Sequence, residues 1–153
     1  FGKSGIGNAY GIDLTGKINF SEKWQLLLMA EGKIGTNFLA YTAHNANLNS
    51  EAKLSLDDFK MRGFYVLPTL RYDWQNKRLR AVEFSSRYEY FDENYKVNSN
   101  ARQTLIPNLS LIFADDFYAA LQMGVSIDIY KKDIPLSAIN THSLGYVQLQ
   151  VRF

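Results

Sequence analysis

The fold is decided by the stretch YGIDLTGKINF, residues Tyr10 to Phe20. Its even-numbered positions are apolar apart from one glycine, and its odd-numbered positions carry no large apolar side chain. Successive side chains of a β-strand point to opposite faces, so this alternation predicts a strand with one apolar face and one polar face.

Six further segments alternate in the same way, which predicts an all-β chain of seven strands. Each segment is close to the roughly 9–11 residues that a tilted strand needs to cross a bilayer. Pro68 and Pro107 each remove a ladder donor, so each predicts a bulge or a weakly paired position. The six segments are Trp24–Ile34, Phe64–Trp74, Val82–Tyr90, Leu105–Phe113, Phe117–Ile129 and Gly145–Phe153.

The connections between these segments alternate in length. The short connections are residues 21–23, 75–81 and 114–116. The longer connections are residues 35–61, 91–102 and 130–144. Transmembrane barrels have short periplasmic turns and longer extracellular loops. The pattern therefore predicts a transmembrane antiparallel β-barrel with a long extracellular loop at 36–60. Residues Glu51 to Met61 are predicted to form a short helix or to fold inward over the pore; the alternative is an ordered extracellular loop that packs on its neighbours.

Composition narrows the classes of function. The chain has 153 residues, 46% hydrophobic and 14% aromatic, with a net charge of +2 and no cysteine. Near-balanced charge argues against a nucleic-acid partner, and the absence of cysteine excludes a disulfide scaffold, a zinc finger and a thiol nucleophile. The longest apolar run, Leu26 to Ala30, is far shorter than the roughly 18 residues that a membrane-spanning helix needs.

Aromatic side chains collect at the strand ends beside the short connections. Rings with an apolar body and a polar edge favour the headgroup zone of a bilayer, so these residues predict an aromatic girdle. Tyr10, Phe64, Tyr88 and Tyr90 predict a second belt at the other rim. The predicted girdle consists of Phe20, Trp24, Tyr72, Trp74, Phe113, Phe117 and Phe153.

The polar faces carry charged side chains, which suits a hydrated lumen. A soluble β-sandwich or lipocalin-like barrel is the alternative, but it would place large apolar side chains inside, where charge is costly. Facing rows of opposite charge, as at Arg71, Arg87, Glu83 and Glu89, would orient polar solutes. The predicted lumen-lining residues are Asp13, Lys17, Glu31, Lys33, Arg71, Asp73, Glu83, Arg87, Glu89, Asp128 and Arg152.

The ending YVQLQVRF, residues Tyr146 to Phe153, resembles the C-terminal strand of bacterial outer-membrane proteins. The resemblance implies that Val147, Leu149, Val151 and Phe153 form the signal that the barrel-assembly machinery recognises. It also implies a bacterial outer-membrane location with membrane lipid as the surrounding partner.

Residues Gly63 to Phe153 further resemble the phosphate-selective porin O and P family, through GFYV at Gly63, RYEY at Arg87 and the final strand. The resemblance implies a trimeric channel with sixteen strands and a basic ladder. This chain departs from that pattern, because its predicted lumen carries nearly equal numbers of cations and anions. Phosphate selectivity is therefore not predicted.

Strand parity predicts that the chain is the C-terminal part of a larger barrel. Bacterial single-chain barrels have even strand numbers, and about eight strands is the minimum for closure. An eight-stranded barrel with one strand unrecognised is the alternative.

Signals for catalysis and metal binding are weak. His44 and His142 are far apart in predicted loops, with no nucleophile motif beside them. The pairs Asp57-Asp58 and Asp115-Asp116 lack the spacing of a calcium loop and suit solvated turns. The sequence therefore predicts no enzyme, no metal site and no cofactor.

The predicted function is passive diffusion of small polar or charged solutes through an outer-membrane porin-type channel. The alternative is a structural or accessory barrel that binds a partner protein through its loops. A homotrimer or a complex with a partner membrane protein is compatible with both functions.

Overall fold

In the computed structural model, residues 7–46, 54–74, 76, 78–96, 101–114, 118–130 and 143–152 are described. They contain one eight-residue helix, α1 (Phe38–Asn45), and a 3₁₀ turn at Leu56–Asp58. The strands are β1 (Ala9–Asn19), β2 (Trp24–Thr36), β3 (Lys60–Asp73), β4 (Ala81–Asp92), β5 (Ala101–Ala114), β6 (Tyr118–Tyr130) and β7 (Ser143–Arg152).

The seven strands form a single sheet in the order β1 to β7, and every neighbouring pair is antiparallel. The prediction of an all-β meander with seven strands is therefore confirmed. β1 and β7 are the two edges of this sheet and do not pair with each other, so the described strands do not close into a barrel. The barrel and its place in a membrane stay predictions.

The strand bounds differ from the predicted ones mainly at the end with the long connections. β3 begins at Lys60 instead of Phe64, and β5 begins at Ala101 instead of Leu105. The added residues continue the antiparallel ladders Arg62↔Asp92 and Gln103↔Ile129. Their backbone hydrogen bonds extend both strands beyond the apolar alternation that was used to predict them.

The register brings the apolar positions of neighbouring strands together. One row of paired residues runs across four strands and consists of Ile12, Gly32, Phe64 and Tyr90. The apolar face is therefore continuous from β1 to β4. The same holds across the rest of the sheet, where Leu105 pairs with Ile127. We call this side the apolar face and the opposite side the polar face. A one-residue slip in any strand would exchange its two faces, so the register is strongly constrained.

The two faces differ in exposure. Large apolar side chains on the apolar face are open, for example Ile12 at 78%, Val147 at 74% and Leu149 at 69%. The buried cluster Ala81, Ile112 and Ala120 lies on the polar face instead, in one cross-strand row near the short connections.

Both prolines mark interrupted ladders, as predicted. Between β3 and β4 the pairing stops after Val66↔Tyr88 and resumes at Thr69↔Ser85, which leaves Pro68 out. Between β5 and β6 it stops after Leu105↔Ile127 and resumes at Asn108↔Gly124, which leaves Pro107 out. The register is the same on both sides of each gap, so neither proline causes a bulge. The register shift of the β5–β6 ladder lies between Ile112 and Ala114.

The connection between β2 and β3 is folded, which the alternation did not predict. The Asn37 side chain caps α1 by accepting a hydrogen bond from the Ala40 backbone N at 3.0 Å, and the Asn37 backbone N donates to the Phe59 carbonyl. Tyr41 packs edge-on against the buried ring of Phe59 at 5.7 Å between centroids. In the described part of the stretch Glu51 to Met61, residues 54–61, the helical structure is the 3₁₀ turn at Leu56–Asp58.

Candidate functional site

The polar face collects the predicted lumen-lining residues. The register aligns Asp13 with Glu31, Arg71 with Glu83, and Thr104 with Asp128. Glu89 lies at the level of Asp13 and Glu31, and the remaining members of the same face lie at other levels, namely Lys17, Lys33, Asp73 and Arg87. Arg152 pairs through its backbone with Tyr118. The polar face is thus the largest collection of charged side chains in the described part of the chain.

A charged cluster occupies the polar face near the short connections. Arg71 donates from Nε to Asp73 at 2.8 Å and from Nη1 to Glu83 at 3.2 Å, and Gln25 donates to Asp73 at 3.1 Å. The Arg71 side chain is 27% exposed and Glu83 is 19% exposed. This half-buried network joins β2, β3 and β4. Its charge-assisted hydrogen bonds fix the orientation of each charged side chain.

One cross-strand row of the polar face is acidic. From β1 to β6 the paired positions in this row are Asp13, Glu31, Tyr65, Glu89, Thr104 and Asp128. Directly opposed like charges destabilise a sheet, and Asp13 and Glu31 are directly opposed. The row therefore concentrates negative charge at a single level of the strands.

Cations lie at the levels on either side of this acidic row. Lys33 forms an ion pair with Glu31, and Arg87 forms one with Glu89. The Arg87 guanidinium also lies over the Tyr65 ring, 4.4 Å from its centroid, and the buried Arg87 Nε has no hydrogen-bond partner among the described residues. The charges on the polar face are thus layered along the strands.

A cavity of about 500 Å³ opens at this acidic level. Its lining includes Glu31, Tyr65, Arg87 and Glu89 from the polar face together with backbone at Gly63. Charged and phenolic groups that line part of an open cavity of this size can hold small polar solutes weakly.

The middle of the polar face is neutral and hydrogen-bonded. The Tyr146 hydroxyl donates to Asn108 Oδ1 at 3.2 Å, and Asn108 Nδ2 donates to the Ser110 hydroxyl at 3.0 Å. The Tyr146 ring lies over Gly124, where a Cβ atom would be 2.6 Å from the phenol oxygen. Gly124 therefore makes room for the tyrosine that ties β7 to β5.

Sequence reasoning missed several members of this face. Arg102 occupies a polar-face position, opposite Phe91, and lines the 500 Å³ cavity. It was missed because β5 begins four residues before the predicted strand, although its parity matches that of Thr104. Tyr65, Gln25, Asn108 and Tyr146 were also missed, because an uncharged side chain at a polar position gave no separate signal.

The predicted aromatic girdle is partly described. The Trp24 and Tyr72 rings pack at 4.7 Å, and Tyr72 contacts Trp74 edge-on at 5.7 Å. Phe20, Trp74 and Phe113 are exposed. Phe117 and Phe153 lie outside the described residues. At the opposite ends of the strands, Phe64 of the predicted second belt stacks on Tyr90 at 5.6 Å.

The loop carboxylates take part in local structure. Hydrogen bonds from the Ser55 hydroxyl and backbone N lower the pKa of Asp58, and the Lys96 charge adds to this effect. The ammonium group of Lys60, 2.9 Å from Asp57, lowers the pKa of that carboxyl. His44 packs on the Phe59 ring at 5.5 Å. These contacts fit the predicted role of the loop residues as ordinary loop structure.

Several residues singled out in the sequence lie outside the described part of the chain. These include His142, Asp115 and Asp116, together with Phe153 of the assembly signal. Val147, Leu149 and Val151 of that signal are exposed on the apolar face of β7. Among the residues that the structure describes, no group of three or more His, Cys, Asp or Glu side chains is arranged to hold a metal ion.

Comparisons with protein-family models, with curated proteins and with solved structures find no match for this chain. No helix within the described ranges is long and apolar enough to span a membrane. The resemblance to the porin O and P family therefore stays a prediction, as do the absence of enzymatic activity and the outer-membrane location.

Proposed function

We propose that the chain forms part of an outer-membrane β-barrel whose polar face lines a water-filled passage for small polar or charged solutes. The observation that carries this proposal is the separation of charge between the two faces. On the apolar face, the charged residues of the described strands are Lys60, Arg62 and Asp92, and all three lie at the strand ends beside the long connections. The other charged strand residues whose side chains are described occupy the polar face.

Lipid is the environment that this separation favours. An apolar face that extends over seven strands and remains exposed would be unstable in water, since large exposed apolar patches mark interaction surfaces. Rings collect near both ends of the strands, at Trp24 and Tyr72 and at Phe64 and Tyr90. Aromatic rings at both borders of an apolar band are typical of barrels in bilayers.

Closure of the proposed barrel needs further strands. Six successive antiparallel pairings make β1 and β7 run in the same direction. An antiparallel closure therefore requires an odd number of additional strands between them. Open edges in lipid would leave backbone groups unpaired at a cost of several kcal/mol each. We propose that polypeptide outside these seven strands supplies the missing ones, as in a larger porin.

A second candidate function rests on α1. Phe38 and Leu39 begin this helix and are 46% and 80% exposed. Exposed apolar side chains on an ordered loop suit recognition of a partner protein. This observation favours the accessory-barrel alternative, in which the loops are the functional surface.

Single-channel recording in a planar bilayer distinguishes the two functions. For a diffusion channel we expect a reproducible open conductance that rises with salt concentration. Folded protein that inserts without conductance would contradict the channel and favour the accessory barrel. Replacement of Leu39 by Ser is the matched loop control. It removes an exposed apolar side chain of α1 and should leave the conductance unchanged.

A further inference from the structure

The charges on the apolar face are confined to one place. Arg62 on β3 and Asp92 on β4 are directly opposed, and Lys60 is two residues before Arg62 on the same face. The next residue along this face of β3 is Phe64, which belongs to the aromatic cluster with Tyr88 and Tyr90. The position therefore marks the border between the apolar band and the connecting loops.

Arg62 is held in a defined orientation. Its Nη2 donates to Asp92 Oδ2 at 3.3 Å and to the Tyr90 hydroxyl at 3.5 Å, and Tyr90 donates to the same Asp92 oxygen at 3.2 Å. The guanidinium carbon is also 5.2 Å from the centroid of the Tyr95 ring. Such contacts reduce the rotamer freedom that a long side chain would lose on binding.

Two donor nitrogens of the guanidinium are available. The Asp92 side chain is 6% exposed, whereas the Arg62 side chain is 51% exposed. Among the described residues, the hydrogen bonds of Arg62 use Nη2 alone, which leaves Nε and Nη1 as donors. Each of these N–H groups can donate a charge-assisted hydrogen bond to a phosphate oxygen.

We propose that Arg62, supported by Lys60, binds the phosphate of a lipid headgroup at the long-connection border of the apolar face. The proposal rests on the proposed function, because only a lipid-facing apolar face brings headgroups to this level. Asp92 and Asp57 offset part of the positive charge. The contact is therefore directional, made through the free donors of the guanidinium.

Native mass spectrometry of the folded protein in detergent, titrated with phosphatidic acid, tests the proposal. Diacylglycerol with the same acyl chains, which lacks the phosphate group, is the comparison lipid. For R62Q we expect about tenfold weaker binding of phosphatidic acid, the factor that corresponds to one charge-assisted hydrogen bond. K17Q is the matched control, because it removes an exposed cation of the polar face, and its binding should equal that of the unmodified protein.

Three outcomes would overturn the proposal. If R62Q and K17Q bound phosphatidic acid equally weakly, the overall charge of the protein would be what attracts the lipid. Equal binding of both lipids by the unmodified protein would exclude phosphate recognition. Displacement of the lipid by an equal concentration of inorganic phosphate would mean that the site recognises the free ion. Failure of the proposed function is recognised separately, since the protein would then be monodisperse without detergent.

Discussion

At the scale of single residues, the polar face depends on close approaches that its glycines and hydroxyl groups allow. Gly124 lies beneath the Tyr146 phenol, and that phenol reaches Asn108 two strands away. Ser21 closes the first short connection by accepting hydrogen bonds from the backbone N atoms of Lys23 and Trp24 at 3.3 and 3.2 Å. Substitutions at Gly124 or Ser21 are therefore expected to disturb these particular contacts.

Replacement of Gly124 by Ala should destabilise the sheet. The new Cβ would be 2.6 Å from the Tyr146 oxygen and 2.7 Å from the Pro107 carbonyl oxygen, and the latter belongs to backbone that cannot easily move. We expect a loss of about 1–3 kcal/mol in the free energy of unfolding, as in other overpacked sites. Guanidinium unfolding in detergent micelles measures it.

Gly145→Ala is the matched control for that substitution. Gly145 lies one residue before Tyr146 on the same strand, and a Cβ there would have no heavy atom within 4 Å. Its stability should match or slightly exceed that of the unmodified protein, because alanine restricts the unfolded chain. Equal destabilisation by both substitutions would show that the Tyr146 contact is not what limits position 124.

Acidification should loosen the connection between β2 and β3. The folded-state pKa values of Asp57 and Asp58 are lowered by Lys60, Ser55 and Lys96. A lowered pKa means that the stabilisation is complete above the ordinary carboxyl value, about 4, and is lost as the pH falls through the lowered value.

Amide chemical shifts of residues 54–60, recorded by NMR between pH 7 and pH 2, measure this loss. We expect a transition below pH 4 in the unmodified protein. It should be reduced in D58N, which lacks one of the two carboxyl groups. A transition of full size in D58N would mean that Asp58 does not hold the loop.

At the scale of elements, the strands and their meander order were predictable and the register between neighbouring strands was not. Alternation located seven strands because an exposed apolar face and a charged face leave a period of two in the sequence. The helix α1 was missed because eight residues with few charges carry no alternation; its sequence signal is the capping residue Asn37. Arg102 was missed with the first residues of β5.

The layering of charge belongs to this scale, because it depends on register. Sequence parity places Asp13, Glu31, Glu89 and Asp128 on one face, but their shared level follows from how far each strand is offset from the next. The offset is set by the turns and the backbone ladders, for which the composition gives no measure. The sequence predicted facing rows of opposite charge. The structure pairs Arg71 with Glu83 in this way, but it also has an acidic row with cations above and below it, which the sequence did not predict.

Neutralising the acidic row should alter the charge preference of the proposed passage. In D13N/E89Q we expect the potassium-to-chloride permeability ratio to fall severalfold at low salt, because an ion at 4 Å from a carboxylate in water gains about 1 kcal/mol. Reversal potentials under a salt gradient measure the ratio. E22Q is the control, since Glu22 lies in a short connection away from the row. An unchanged ratio in D13N/E89Q would mean that ions do not pass along this row.

At the scale of the whole molecule, the two faces of one sheet differ in chemical character. Its polar face is hydrogen-bonded and charged, its apolar face is exposed, and its two edges are unpaired. All three features are explained together if a bilayer covers the apolar face, water covers the polar face and further strands pair with the edges. The proposed function rests on this arrangement, because a charged surface that faces water inside a membrane would form a passage.

The measurement that tests this account most directly is spin-label accessibility along the strands. The chain has no cysteine, so single cysteines at Ile12, Asp13, Gln148 and Leu149 can be labelled without background. In bilayers we expect labels at Ile12 and Leu149 to be relaxed by oxygen, which dissolves in lipid, and labels at Asp13 and Gln148 by a water-soluble nickel chelate. The account would be contradicted if the protein were monodisperse without detergent and neither reagent reached the labels at Ile12 and Leu149.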